Sequence, residues 1–184
     1  DVSQDLLHVT CADGQIRAFS LKDSSLVGNY TSPFGEVVHQ IESVGPGFLV
    51  AANGNTLWQV TIGANLTSTW TNVGTLFTGD GFIPATDMIV VSTDVWIATD
   101  GAGLFHYSGG GAIQQYDSQN VLPSDSVVAL EMAGTYLLIG LADAGVARRD
   151  LSTGNWVATW NTANWLLSDE IQDISSADGW AHII

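Results

Sequence analysis

The sequence predicts an all-β fold of four-stranded antiparallel units repeated along the chain, the plan of a β-propeller, and three observations predict it. A short apolar strand recurs as Leu6-Leu7-His8-Val9-Thr10, Phe48-Leu49-Val50-Ala51-Ala52, Val95-Trp96-Ile97-Ala98-Thr99, Tyr136-Leu137-Leu138-Ile139-Gly140 and Trp180-Ala181-His182-Ile183-Ile184. These strands start 42, 47, 41 and 44 residues apart, enough chain for about four strands and their turns. Turn residues follow the recurrent strand in register, as Asn53-Gly54-Asn55, Asp100-Gly101-Ala102 and Asp143-Ala144-Gly145. Composition agrees: 46% hydrophobic residues, 20 Gly and 7 Trp, with few Lys and Arg to clothe surface helices.

The units fall near residues 5–31, 36–71, 87–117 and 126–162, with 170–184 beginning another, in one propeller region over 1–184. The clearest is the fourth. Ser126–Met132 reads as a strand ended by Ala133-Gly134-Thr135, and Tyr136–Leu141 as a second, continuously apolar and therefore buried on both faces. Gly145–Leu151 is the third and Trp156–Trp160 the fourth, joined by Ser152-Thr153-Gly154-Asn155. The second unit gives strands at Phe48–Ala52, Thr56–Ile62 and Leu66–Thr71; the third gives Met88–Ser92, Val95–Thr99, Gly103–Ser108 and Ala112–Asp117. Apolar content shrinks outward from the second strand, as expected when inner strands pack between neighbouring blades and the outer edge meets water.

A formal charge of −15, from 19 acidic residues against Lys22, Arg17, Arg148 and Arg149, repels phosphate and excludes nucleic acid and anionic membrane as partners. It favours cationic partners. Such acidity suits a salty setting where screening limits self-repulsion, so an extracellular or periplasmic location is expected; it also keeps a Trp-rich sheet protein soluble in any setting. No apolar run has the length of a membrane span, so no insertion is expected, and Asp1-Val2-Ser3-Gln4-Asp5 is not a signal peptide, as in a mature or excised chain. Cys11 stands alone, leaving no internal disulfide. Asn29-Tyr30-Thr31 and Asn65-Leu66-Thr67 are glycosylation sequons in an exported chain.

Leu122-Pro123-Ser124-Asp125-Ser126-Val127-Val128-Ala129-Leu130, then Gly134 and Tyr136-Leu137-Leu138-Ile139-Gly140, resembles the repeat of two-component-regulator propellers. Val95-Trp96-Ile97-Ala98-Thr99-Asp100-Gly101-Ala102-Gly103-Leu104 carries the second half of that pattern, and Leu167–Ile174 with Asp178-Gly179-Trp180 the first half. Ala12-Asp13-Gly14-Gln15-Ile16-Arg17-Ala18-Phe19-Ser20-Leu21 and Asp150–Trp156 resemble quinoprotein-like propellers more. The resemblance implies that the strand after Leu-Pro-Ser is innermost. The chain then starts in a second strand and ends in another, with about four blades covered. Three completions are open: part of a larger ring, a ring closed by a second copy or partner, or four blades closing on themselves. Unclosed ends expose sheet faces and a strand edge, which invites association.

In such a propeller the loops leading into the innermost strand and those joining strands two and three emerge on one face. The first set carries Glu36, Asp87, Asp125 and Asp169, and the second Asp13, Asn53, Asp100 and Asp143. A ring of acids there suits cations such as Ca2+, amines or sugar hydroxyls, with Asp100, Asp125, Asp143 and Asp169 as candidate ligand-binding residues. The plainer reading is that these residues hydrogen-bond their own turns. Trp165, in the connector after Trp160, is a candidate for stacking on a sugar, while the other Trp residues read as packing between blades. His8, His39, His106 and His182 form no metal-ligand pattern and read as packing residues, and Arg148-Arg149 reads as pairing with blade acids.

No nucleophile–base set stands out, and no catalytic or metal-ligating residue is assigned. The leading expectation is a noncatalytic sensory or scaffold module binding a protein or carbohydrate. A propeller-type glycoside hydrolase or lyase using two acids, and a structural component assembling through open blade edges, are the alternatives.

Overall fold

The computed structural model describes residues 6–33, 37–44, 47–52, 56–63, 67–77, 82–110, 112–177 and 180–184, with residues 44 and 47–52 described at the backbone. Glu36, Asn53 and Asn65 fall outside the described residues. The strands are β1 (Leu6–Thr10), β2 (Gln15–Ser20), β3 (Leu26–Thr31), β4 (Val38–Val44), β5 (Gly47–Ala52), β6 (Thr56–Ile62), β7 (Ser68–Thr75), β8 (Ala85–Val91) and β9 (Asp94–Thr99). They continue as β10 (Leu104–Ser108), β11 (Ile113–Tyr116), β12 (Val127–Ala133), β13 (Tyr136–Leu141), β14 (Gly145–Asp150), β15 (Asn155–Trp160), β16 (Ile174–Ala177) and β17 (Trp180–Ile183). Each sheet is an antiparallel meander in chain order: β1-β2-β3, then the four-stranded β4-β5-β6-β7, β8-β9-β10-β11 and β12-β13-β14-β15, then β16-β17. These are propeller blades, as the period predicts.

Short turns close the meanders. Ala133 pairs with Tyr136 across Gly134, whose φ of 64° is the left-handed conformation that a residue without Cβ adopts freely. Gly103, just before β10, and Gly145, at the start of β14, have φ of 76° and 82°, and a Cβ on either collides with the carbonyl of Tyr116 or Trp160. The turn therefore requires glycine.

The inner strands β4, β8 and β12 carry the same irregularity: an extra residue, His39, Thr86 or Val128, lies between the paired positions Val38 and Gln40, Ala85 and Asp87, Val127 and Ala129. The bulge lets one blade reach the next. The Thr86 hydroxyl donates to the Val127 carbonyl at 2.6 Å, the Gln40 side-chain amide donates to the Thr86 carbonyl at 2.6 Å, and Leu130 N–H donates to Asp87 Oδ2 at 2.7 Å.

Apolar layers lie between blades. Ile16, Ala18, Tyr30, Val38 and Val60 fill the first, Leu57, Met88, Ile97 and Phe105 the second, Trp96, Leu104, Tyr116, Leu137 and Ile139 the third, and Ala129, Leu138, Val146, Ile171 and Ile174 the fourth. Trp96, Ile97, Leu138 and Ile139 are all fully buried, as a two-sided second strand demands.

Three expectations need correction. Asp87 belongs to a strand rather than a loop: β8 begins at Ala85, three residues before the apolar run, because the Asp87 carboxylate accepts from Met88 N–H and, across the blade junction, from Leu130 N–H. β7 runs on to Thr75, where Thr56 pairs it. Arg148 and Arg149 pair with rings rather than acids. The Arg148 guanidinium lies 4.1 Å from the Trp160 ring centroid and donates to the Ala158 carbonyl; that of Arg149 sits 4.9–5.5 Å from Tyr116, Trp156 and Trp96. Rings of two blades surround Arg149, while Arg148 lies against Trp160 of its own blade; among the described residues neither forms an ion pair with a carboxylate.

Candidate functional site

At two blade junctions the predicted loops are joined by hydrogen bonds across blades. Gly101 and Gly103 N–H donate to the Asp125 carbonyl at 3.0 and 2.8 Å, and Gly145 N–H donates to the Asp169 carbonyl at 2.8 Å. The turn between strands two and three of one blade is thus tied to the loop that leads into the next blade's inner strand.

Those connecting loops repeat their internal wiring. Asp125 Oδ1 and Oδ2 accept from Ser118 N and Oγ at 2.6 and 2.9 Å; Asp169 Oδ1 and Oδ2 accept from Thr162 N and Oγ1 at the same 2.6 and 2.9 Å. Asn120 Nδ2 and Asn164 Nδ2 reach back to the Gln115 and Thr159 carbonyls, and the Asp117 and Asn161 carbonyls accept from the backbone of Val121 and Leu122, Trp165 and Leu166. The two carboxylates are therefore acceptors within their own loops. Asp100 Oδ1 accepts from Ser126 Oγ at 2.6 Å, which brings Asp100 and Asp125 to the same blade junction. Asp143 is exposed in the next junction's turn, alongside the loop of Asp169. Asp13, in the first blade's turn, pairs with Arg17. Among the described residues no three His, Cys, Asp or Glu side chains are grouped to hold a metal ion.

Trp165 stands 79% exposed on the pinned loop between β15 and β16, with Leu167 fully exposed beside it. The matching residue of the preceding loop, Val121, is also exposed. A bulky apolar side chain on a backbone fixed by Asp169 and Asn161 loses little freedom on binding, which is the property of a contact anchor.

A second acidic group, not singled out as a cluster by the sequence reading, lies on the inner strands. Burial pushes the Asp87 carboxyl above the usual carboxylate range; its hydrogen bonds from Leu130 and Met88 N–H oppose this, and the charges of Asp173 and Glu131 reinforce it. Burial likewise raises Glu42, with Asp87's charge adding to the effect. Asp87 and Asp173 play one part in alternate blades, each accepting from the following residue's N–H, Met88 at 2.8 Å and Ile174 at 2.9 Å. The shared pattern of Asp before the apolar run, Asp87-Met88 and Asp173-Ile174, was the available signal.

His8, His39 and His106 pack against rings, whereas His182 and Trp180, expected to pack between blades, are exposed on β17. His106 stacks on Trp96 at 4.0 Å with its Nε2 3.2 Å from Asp94 Oδ2, and His8 lies 6.1 Å from the Tyr30 ring.

Successive four-stranded meanders, adjoining inner strands and apolar layers between sheets define a β-propeller chain. No family model and no curated protein matches the sequence. Solved structures do. The computationally designed Ika8 protein superposes with a TM-score of 0.71 at 16% identity, covering 100% of this chain and 53% of that one. A chain of the mitotic checkpoint complex gives 0.67 at 10% identity over 92% of this chain and 50% of that one. The extracellular domain of the putative hybrid two-component system BT3049 from B. thetaiotaomicron gives 0.68 at 16% identity, covering 95% of this chain and 23% of that chain. At these identities the likeness establishes the propeller fold, and this chain spans about half or less of each neighbour.

Proposed function

We propose that the chain is a noncatalytic sensory or scaffold module that presents its stitched loop face, with Trp165 as the anchor, to a protein or carbohydrate ligand outside the cytoplasm. The observation that carries this is the exposure of Trp165 and Leu167 on a loop whose own acids are consumed in holding it rigid. A ring stacked on Trp165 suits a sugar, and a cationic or hydroxyl-rich rim suits the −15 surface. On this face Asp100, Asp125 and Asp169 serve as acceptors for neighbouring Ser and Thr groups, which supports binding over turnover there. The extracellular origin of the two-component-system neighbour and the resemblance of the repeats to regulator propellers support the sensory reading and the location.

The test is a glycan and protein array probed with the wild-type chain and with Trp165→Ala, followed by turnover assays on every hit. The reading expects hits that weaken at least about tenfold in the variant, the loss of one aromatic anchor, with unchanged melting temperature and no product. Hits indifferent to Trp165, or product formation, overturn it.

A further inference from the structure

We propose that the ligand taken at the loop face is a basic polypeptide segment: an apolar side chain of the segment lies on Trp165 and Leu167, and its Lys or Arg side chains reach Asp143 and Glu170. This rests on the loop-face reading above and deepens it, since it chooses polypeptide over carbohydrate and fixes the sign of the partner's charge.

Strand alternation brings these residues to one end of the sheets. In an antiparallel meander the turn between strands two and three and the connection that leaves strand four emerge at the same end, so the β13–β14 turn and the β15–β16 connection adjoin there. Gly145 N–H, donating to the Asp169 carbonyl at 2.8 Å, ties the two together. Asp143 stands in the turn, and Trp165, Leu167 and Glu170 stand in the connection, all exposed.

The preceding junction is built on the same plan and differs where it matters. Ser118, Asn120 and Asp125 of the β11–β12 connection match Thr162, Asn164 and Asp169, so Val121, Pro123 and Ser126 stand where the later loop has Trp165, Leu167 and Glu170. Val121 and Pro123 are exposed although a complete blade flanks their junction on each side, so exposure at these positions belongs to the loop itself. What changes is the chemistry. At the earlier junction the acid of the turn has a donor, Ser126 Oγ, 2.6 Å from Asp100 Oδ1. At the later one Glu170 takes the place of Ser126, and a carboxylate brings no donor to the Asp143 turn.

Among the described residues, neither Asp143 nor Glu170 has a hydrogen bond or an ion pair at its carboxylate. The chain's own Lys and Arg do not supply a cation: Arg17 pairs with Asp13, Lys22 lies in the β2–β3 turn, and Arg148 and Arg149 lie against rings. Two exposed carboxylates on adjoining loops of a −15 chain suit a ligand's ammonium or guanidinium.

Leu167 decides between polypeptide and sugar. An indole face serves a sugar ring or an apolar side chain, but a sugar laid across Leu167 exchanges water on its hydroxyls for an aliphatic surface with no donor or acceptor. An apolar side chain gives up no hydrogen bond there and removes both residues from water. The loop held by Asp169 is ordered before the ligand arrives.

Panning a random dodecapeptide library on the immobilised chain at low salt, with an array of neutral oligosaccharides probed in parallel, decides the matter. Enriched peptides should carry Lys or Arg close to a large apolar residue, and their affinity should fall as sodium chloride is raised. The best of them, synthesised, should bind at least about tenfold more weakly to Trp165→Ala and to Asp143→Asn/Glu170→Gln, both melting with the wild type, and equally well to Asp23→Asn in the β2–β3 turn. Peptides without a basic residue, or basic peptides indifferent to Asp143→Asn/Glu170→Gln, overturn the cationic segment; where Trp165→Ala still weakens them, the loop-face reading stands. Oligosaccharides that need Trp165 while no peptide is enriched overturn the choice of polypeptide and keep that reading. The lack of any Trp165-dependent ligand of either kind overturns both.

Discussion

Ile139 touches apolar neighbours of two blades at once, because a second strand has no solvent face. Ile139→Ala removes buried atoms from the layer shared with Trp96 and Leu104 and should cost about 2–5 kcal/mol, read from a urea unfolding titration. A cost under about 1 kcal/mol means that the layer is not packed as described. Asp169 acts on its loop alone: in Asp169→Asn one of the two acceptor oxygens becomes a donor group facing Thr162, so the Thr162 amide should exchange hydrogen faster while Ile139 keeps its protection. Equal exchange in both proteins contradicts the pinning. Calcium at constant ionic strength should leave the melting temperature unmoved, since Asp100, Asp125 and Asp169 already hold neutral donors; a shift abolished by Asp100→Asn/Asp143→Asn establishes a cation site instead. The propeller plan implied by the resemblance assigned these acids to loops of one face, but an Asp that binds a ligand and an Asp that binds its own turn are the same letter. Their partners, Ser118 and Thr162, lie seven positions upstream and were invisible to the motif.

Among the elements, β9 and β13 were legible almost to the residue because continuous apolar runs bounded by turn residues have one reading. β8 was not, since Ala85-Thr86-Asp87 looks like loop until the bulge sends Thr86 to the next blade and Leu130 of that blade donates to Asp87. The Asp87 carboxyl carries a pH signature. Its folded value is raised above 3.8, so it takes up a proton more readily in the folded chain than in the unfolded one. The stability this contributes is fully present below the unfolded value and lost as pH rises through the folded one. The melting temperature of wild type minus that of Asp87→Asn should therefore fall as pH is raised from below 3.8 across the acid range. A difference that is flat or rises with pH contradicts burial of the charge between β8 and β12.

At the scale of the molecule, the repeat carried the fold from sequence. The propeller plan also set the turn of Asp100 beside the loop of Asp125 and the turn of Asp143 beside the loop of Asp169, and hydrogen bonds join both pairs of loops. What sequence left open was the number of blades in the ring, because strand period does not encode the angle between blades. The account's central claim is that the chain is an arc of propeller blades whose inner strands β4, β8, β12 and β16 line one axis. A cryo-electron microscopy or crystal structure viewed down that axis tests it most directly. The account predicts radial four-stranded blades with Asp87 and Asp173 on the inner strands and Trp165 on the loop face. Sheets stacked face to face as a two-layer sandwich, or strands closed into a single barrel, would contradict it.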